Sequence, residues 1–421
     1  MANSFTKQEL VMFDDMIEGF DDQLVIAKGA ETYQPEDPEA MARAGDQFWV
    51  PAPMISASYD GFDQTSNFGD TTELSVPVSI GYHKSVAVKY SAKELRIKSA
   101  LEKKGKSAKQ KLGSDVNLAL FNTVALQGSM FVKRTGAPTG FDDVALADAL
   151  MTERGISQSD RLMFLAPRVA NAMAGNLANR ATDNSRDLDA YSRAMIGSDV
   201  AGFELFKNDQ SVRLAAAGGG ATTVNGATQR TVPAATTTAA TGEKANKDNR
   251  YTDLVITAAN YAAIDTGDAF TIAGVNSLHM ITKQDTGQLM TFRVVGKPAA
   301  NTIRVYPAII DAAEGSTGSK EYANVSATPA NGAAITWLNT TAAELNPFFK
   351  RESLLLIPGS YSVDPQDGWQ VRTATTDLGI RITYARQGEI NDLSVKARWD
   401  IDFGASLIAP EMAGNMAFNQ A

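Results

Sequence analysis

Apolar residues recur at steps of three and four along two stretches of the chain and alternate with polar residues along several others. Leu10, Phe13, Ile17, Phe20 and Leu24 follow the helical rhythm and predict an amphipathic helix over residues 6–25. Thr6 and Glu9 have the spacing of a capping box at its start. The second rhythm is longer. Ala108, Leu112, Val116, Ala119, Leu120, Thr123 and Val124 fall on one face of a helix. Ser91 and Glu94 form a start signal ahead of it, Gly105 reads as a weak point, and Gly113 is tolerated at a cost of ~1 kcal/mol. Gly128 is a stop. The stretch 91–127 is therefore a spine on which the other elements are mounted. Its better half, 108–127, spans ~30 Å.

The alternating segments predict strands. Phe48 and Val50 lead into Pro51 and Pro53 as an edge strand. Leu74, Val76, Val78 and Ile80 make a half-buried strand with Pro77 inside it. Between them lies a Gly/Asp/Asn-rich turn, 59–69, so the pair reads as a projecting hairpin. It holds too few apolar residues to bury itself and is expected to pack on a neighbouring subunit. Residues 31–43, broken by Pro35 and Pro38, read as a linker. Val86, Val88 and Tyr90 form a strand before the spine. After the spine come a helix at 142–154 stopped by Gly155, a strand at 161–165, a helix starting at Pro167, a short helix at 187–195 and a strand at 202–206. Residues 215–241 are Ala/Gly/Thr-rich, with Gly218, Gly219 and Gly220 in a row, and read as a flexible crossing. From 251 to 338 the pattern is all-β. Leu254/Ile256, Phe270/Ile272, Phe292/Val294 and Ile303/Val305 are short runs that predict a small barrel or sandwich. A mixed pattern returns after Leu345, so the β module is inserted into another domain. Leu354 opens a short apolar run, and Ile380, Ile382 and Tyr384 alternate. Val395, Ala397, Trp399, Ile401 and Phe403 alternate with Lys396, Arg398, Asp400 and Asp402. That last strand has one buried and one charged face, and pairing with 86–90 would let it cover the spine.

Length and composition narrow the class. A chain of 421 residues implies two or three domains, and 44% hydrophobic with 21% charged residues is a globular composition. The net charge of −9 argues against a nucleic-acid-binding surface, which needs clustered Lys and Arg, but not against a protein that sits near DNA without gripping it. There is no cysteine, so thiolate and disulfide chemistry are excluded. No stretch approaches a membrane span, and residues 1–8 lack the features of a signal peptide. The expectation is a protein made in the cytoplasm, without membrane association.

Catalytic chemistry finds little support. The two histidines, His83 and His279, lie in segments of different character and read as structural residues. Gly105-Lys106-Ser107 lacks the earlier glycine and the leading strand of a phosphate loop. The glycine triplet lacks a dinucleotide fingerprint. Asp265 and Asp268 flank Gly267 as a β turn rather than a calcium loop. No catalytic, cofactor or metal residue is expected. Two polar clusters remain. Asp14, Asp15 and Glu18 are either a solvated acidic face or a docking face for a basic partner helix. Glu243, Lys244, Lys247, Asp248 and Arg250 share one loop, which is either solvated or a self-complementary hook across a two-fold axis. Each exposed pair there is worth only about 0–1 kcal/mol, so the hook depends on many copies.

Residues spread along the chain carry a resemblance. They are Tyr33 and Pro35, Trp49-Val50-Pro51, Asp248-Asn249-Arg250-Tyr251, Ala273-Gly274-Val275, Val294-Val295, Tyr322-Ala323-Asn324-Val325, Asp377-Leu378-Gly379 and Gln387-Gly388. In order and spacing the sequence resembles tailed-phage major capsid proteins of the Hong Kong-97 fold, of the Salmonella short-tailed-phage type with an inserted β domain. The resemblance implies an α+β fold with an N-terminal arm (1–44) and an E-loop (45–85). It implies a peripheral domain with the spine helix (86–136 and 388–421), an axial domain (137–215 and 345–387) and an inserted β-barrel (216–344). It implies hexamers and pentamers in an icosahedral shell around double-stranded DNA, with a scaffolding protein and a portal protein as partners. Under it, Asp14, Asp15 and Glu18 would receive the scaffold, and the loop 241–250 would join neighbouring capsomers. The self-crosslinking chemistry of the fold's founding member has no counterpart here, so a non-covalent shell is expected. The alternatives are an encapsulin-like nanocompartment shell, or a hydrolase or carbohydrate-binding protein that uses the β module.

Overall fold

The computed structural model describes residues 11–14, 17, 20, 24–33, 47–180, 200–359 and 370–421, less 57, 59, 66–67, 69–70, 92–93 and 95–96. The Thr6/Glu9 capping box, Asp15, Glu18, most of the linker 31–43 and the helix expected at 187–195 lie outside these residues. The chain divides into two compact units: Met1–Phe48, Val78–Phe121 and Leu354–Ser406 form one, and Trp49–Pro77, Asn122–Ser353 and Leu407–Ala421 form the other.

The first unit is built on the long strand Ser394–Leu407. Tyr82–Tyr90 pairs with it antiparallel, matching Trp399 with Val86 and Ala397 with Val88, as the alternation predicts. On its other side Arg381–Glu389 matches Tyr384 with Trp399, and Gln370–Thr375 follows. Leu354–Pro358 extends the sheet and holds Glu31–Thr32 in parallel register. Trp399, Ile401, Phe403, Ile382 and Tyr384 are all buried. The helix runs over Lys98–Gln127, longer than the predicted better half and starting later than Ser91. Ser91 and Glu94 do exchange capping bonds, with Ser91 N–H donating to Glu94 Oε2 at 3.0 Å and Glu94 N–H to Ser91 Oγ at 3.4 Å. Those bonds close a turn ahead of the helix. Gly105 is no break: a Cβ there would stand 2.9 Å from Met12 Cγ, so glycine admits the N-terminal segment against the helix. That segment contacts both elements. Met12 lies on the spine, Ile26 N–H donates to Asn117 Oδ1 at 3.3 Å, and Phe13 meets Tyr384 of the sheet with ring centroids 6.1 Å apart. Phe13, Phe20 and Leu24 are wholly buried, as the apolar rhythm implies, but the helix expected over 6–25 does not reach its end: Phe20 lies in a bend and Leu24 in non-helical backbone.

The second unit has a five-stranded sheet ordered Met130–Lys133, Ala413–Ala417, Asn346–Lys350, Arg161–Leu165 and Glu204–Lys207. Its outer pairs are parallel and its inner ones antiparallel. The helices Phe141–Glu153 and Pro167–Arg180 supply Val144, Ala147, Met151, Ala170 and Met173 to the same core. A closed six-stranded barrel follows, ordered Thr252–Ala258, Thr302–Tyr306, Asp285–Ala299, Ala269–Leu278, Ala334–Trp337 and Thr222–Val224. Its interior is filled by Leu254, Ile256, Phe270, Ile272, Phe292, Val294, Ile303 and Val305. The barrel hangs from a strand pair of its own, Leu214 against Ala343 and Arg213 against Glu344, so its two chain ends lie side by side. That is the geometry an insertion requires.

The stretch 215–241 departs from what its Ala/Gly/Thr-rich composition predicts. It is not a plain flexible crossing, because Thr222–Val224 closes the barrel and Thr236–Thr238 forms one arm of a hairpin. Gly218 and Gly219 serve close packing. Their absent Cβ atoms would stand 2.7 Å from the Ala263 carbonyl oxygen and 2.8 Å from the Trp337 ring. The strands Gln47–Pro51 and Ser75–Ser79 pair as expected, with Pro77 inside the second.

Candidate assembly surfaces

The polar loop divides into a tip and a root. Thr236–Thr238 and Lys244–Asn246 form a two-stranded hairpin in which Thr236 faces Asn246 and Thr238 faces Lys244. Every residue from 235 to 246 is exposed, so the hairpin has no core of its own. Glu243 and Lys244 sit at this tip. The root is firmly held. Asn249 is buried and spans the hairpin's base, accepting from Ala234 N–H at 3.2 Å and donating to the Ala234 carbonyl at 2.9 Å. Lys247 Nζ donates to the Val232 carbonyl at 2.6 Å, and burial lowers its pKa. Arg250 makes a two-pronged contact with Asp248, donates to the Leu407 carbonyl at 2.8 Å and covers the Tyr306 ring. Three of the five residues picked out from the sequence therefore have partners within the chain, and two are presented outward.

The acidic N-terminal cluster is described only at Asp14. Its carboxylate is exposed and accepts from Arg372 at 2.7 Å, while Arg372 also lies over the Phe13 ring. Asp15 and Glu18 are outside the described residues. The segment between the strands Gln47–Pro51 and Ser75–Ser79 presents a second outward surface. Phe62 and Phe68 are fully exposed and Met54 is half-exposed. Its root is tied down where Tyr322 donates to the Thr72 carbonyl at 2.9 Å.

The two histidines have local partners. His279 Nδ1 accepts from the N–H groups of Ile281 and Thr282, closing a turn. His83 Nδ1 lies 2.5 Å from Asp402 Oδ1. The charged face of the long strand is only partly open to solvent: Lys396 is exposed and Arg398 partly so, but Asp400 and Asp402 are both buried. Arg398 holds Asp400 through two bonds of 2.6 and 2.7 Å. Alternation fixes which face a residue takes, but it could not reveal a histidine over 300 positions away that lets carboxylates be buried there.

A further polar group was not foreseen. Arg293, on the outside of the barrel wall, is fully buried and donates to the Ala125 carbonyl, in the last turn of the spine helix, at 2.5 Å. It lies over the Phe131 ring. Burial pulls its guanidinium down to about 9, opposed by Asp268. Arg154 is held down to about 10 by the same cause and donates to Thr291 Oγ1 at 3.0 Å. Thr291 in turn donates to the Ser129 carbonyl at 2.9 Å. These contacts are the polar seam by which the barrel meets the end of the spine. Among the described residues, no group of three or more His, Cys, Asp or Glu side chains is placed to hold a metal.

A family model described as P22 coat protein, gene protein 5, matches residues 1–418. Among solved structures, the chain is similar to one from Mycobacterium phage Che8, at 10% identity over 93% of this chain and 90% of that one, with a TM-score of 0.43. It is also similar to the head structure of Helicobacter pylori bacteriophage KHP40, at 9% identity over 100% and 93%, with a TM-score of 0.38. The CUS-3 coat protein I-domain matches at 39% identity over 28% of this chain and 96% of its own, with a TM-score of 0.23. The family match defines the class: a coat protein, the structural subunit of a phage capsid, rather than a nanocompartment shell or a carbohydrate-binding module. The chain belongs to the P22 coat protein family, and with that goes the Hong Kong-97 capsid fold carrying an inserted barrel. It assembles with copies of itself into the shell of the virion head.

Proposed function

We propose that this chain is a non-catalytic major capsid subunit that assembles in the host bacterial cytoplasm, directed by a scaffolding protein and built around a portal protein. The icosahedral shell so formed encloses double-stranded DNA without reading its sequence. The segmentation proposed is an arm (1–44), an E-loop (45–85), a peripheral domain (86–136 and 388–421), an axial domain (137–215 and 345–387) and an inserted barrel (216–344). The observation that carries the proposal is the pairing of firm roots with unsupported tips. The hairpin 235–246 buries nothing, and the E-loop holds Phe62 and Phe68 in solvent. Such protrusions complete their contacts on another molecule, and a closed shell supplies copies of this chain.

Glu243 and Lys244 are the proposed contact across neighbouring capsomers, and Lys247, Asp248 and Arg250 set the angle at which they are presented. Purified subunits mixed with scaffold should give closed shells by negative-stain electron microscopy. Small discrete oligomers alone would overturn the capsid reading. Glu243→Gln with Lys244→Gln should leave the subunit's circular dichroism unchanged and raise the concentration needed for shells. A loss of about 1 kcal/mol per subunit corresponds to roughly a fivefold rise. An unshifted threshold would show that the tip is dispensable.

Asp14, Asp15 and Glu18 are the proposed scaffold receiver, with Asp14 exchanging Arg372 for a basic residue of the partner. Neutralising all three should slow scaffold-directed assembly, and the deficit should shrink as salt rises. Equal rates for the variant and the natural chain at low salt would remove this role.

A further inference from the structure

The chain-wide acidity conceals one strongly basic segment. Residues 96–111 contain Arg96, Lys98, Lys103, Lys104, Lys106, Lys109 and Lys111 against the single acid Glu102. Seven cations against one carboxylate give a local charge of +6, so the rest of the chain carries −15. The structure puts most of this segment in the first turns of the spine helix, within one compact unit. Its exposed side is made by Ser99, Lys103, Lys106, Ser107, Gln110 and Lys111. Lys104 is turned inward, donating to the Lys89 carbonyl at 2.9 Å and covering the Tyr90 ring. Lys111 pairs with Asp115 one turn on, at 2.6 Å. Lys103 and Lys106 have no carboxylate partner among the described residues.

What separates these lysines identifies the occupant. The exposed face from Ser99 to Lys111 carries no apolar side chain. The buried core of a protein interface is depleted of charged residues, and this face offers only charged and polar ones. A polyanionic backbone needs no such core, because lysine acts on it as a mobile point charge that releases condensed counterions. From Lys103 to Lys111 the helix rises ~12 Å. A duplex lying along that length presents about seven phosphates.

We propose that the face of the spine helix formed by Lys103, Lys106 and Lys111 is a sequence-independent contact for the phosphate backbone of double-stranded nucleic acid. This rests on the reading that the shell encloses DNA, and it turns this face of the helix toward the lumen. The soluble full-length subunit binds a labelled 30-base-pair duplex in anisotropy titrations between 50 and 200 mM salt. The triple variant Lys103→Gln, Lys106→Gln, Lys111→Gln flattens the slope of log K against log salt by about 2.7, which is 0.9 for each lost phosphate contact. Lys106→Glu alone weakens binding at 50 mM salt and serves as the check should the triple variant fold poorly. Equal slopes for the triple variant and the natural chain would overturn the proposal. So would poly-glutamate binding as tightly as the duplex, which would assign the face to an acidic protein. Shell formation is scored separately by electron microscopy. No shells from the natural chain would sink the capsid reading while duplex binding still reported on this face. Shells from the natural chain but none from the triple variant would make the lysines a contact between subunits, and the proposal would fall.

Discussion

Trp399→Ala should lower the stability of the subunit by about 3–5 kcal/mol, read as a fall in the urea midpoint by circular dichroism. Among the described residues, Trp399 is the largest wholly buried side chain. It stands at the centre of the first unit's sheet, flanked by Tyr384 on one strand and Val86 on the other. Its ring centroid is 5.1 Å from that of Tyr384, which in turn meets Phe13 of the N-terminal segment. Truncation would open a cavity under all three and lose the aromatic contact besides. A loss of that size is a large share of the roughly 5–15 kcal/mol that holds a typical protein together. Trp399→Phe should cost under about 2 kcal/mol, because it keeps a ring and removes an indole N–H that has no hydrogen-bond partner. A midpoint unmoved by alanine would mean that the sheet does not close around this ring.

Arg293→Ala should cost a similar ~3–5 kcal/mol. The side chain is wholly buried between the barrel wall and the end of the spine helix, and its bond to the Ala125 carbonyl satisfies an acceptor in the helix's last turn. Alanine would leave that seam hollow. Arg293→Met should cost less than half as much, since it fills the space and removes a buried cation whose Nε and Nη1 atoms have no partner. The methionine variant carries a pH signature. Asp268 already has a raised pKa from burial, and Arg293 is one of the influences holding it down. Without the arginine the carboxyl moves further up. A raised carboxyl pKa gives stability that is present below the unfolded value of 3.8 and is lost as pH rises through the folded value. The deficit of Arg293→Met should therefore grow from acid toward neutral pH in urea titrations. A deficit that is flat with pH would show that the two side chains are not coupled.

The parts of the fold legible in the sequence were those with a sustained period. The spine, the long final strand and four of the six barrel strands each repeat a pattern often enough to declare their faces. The closing strand Thr222–Val224 is three residues long, too short for any period, and it sat inside a run whose composition reads as loop. Gly105 was misread because its reason lies in Met12, far away in sequence. The assembly surfaces were legible in the same partial way. A cluster of charges marked the hairpin, but only the fold separates Glu243 and Lys244 at the tip from Lys247, Asp248 and Arg250 at the root. The basic face of the spine was lost in a chain-wide total, although its lysines were there to be counted.

The first unit's sheet draws its strands from opposite ends of the chain. Glu31 is matched to Leu355, and Tyr82–Tyr90 lies along residues 395–403. On the ribosome the barrel, whose strands all fall between Thr222 and Trp337, has every partner in hand long before that sheet does. The nascent chain must therefore carry Tyr82–Tyr90 with an open edge until residues 395–403 have been translated. An unpaired edge is a template for the wrong neighbour, most dangerous where many copies are being made at once. A permuted chain that brought those two stretches together would shorten the time that edge stands open.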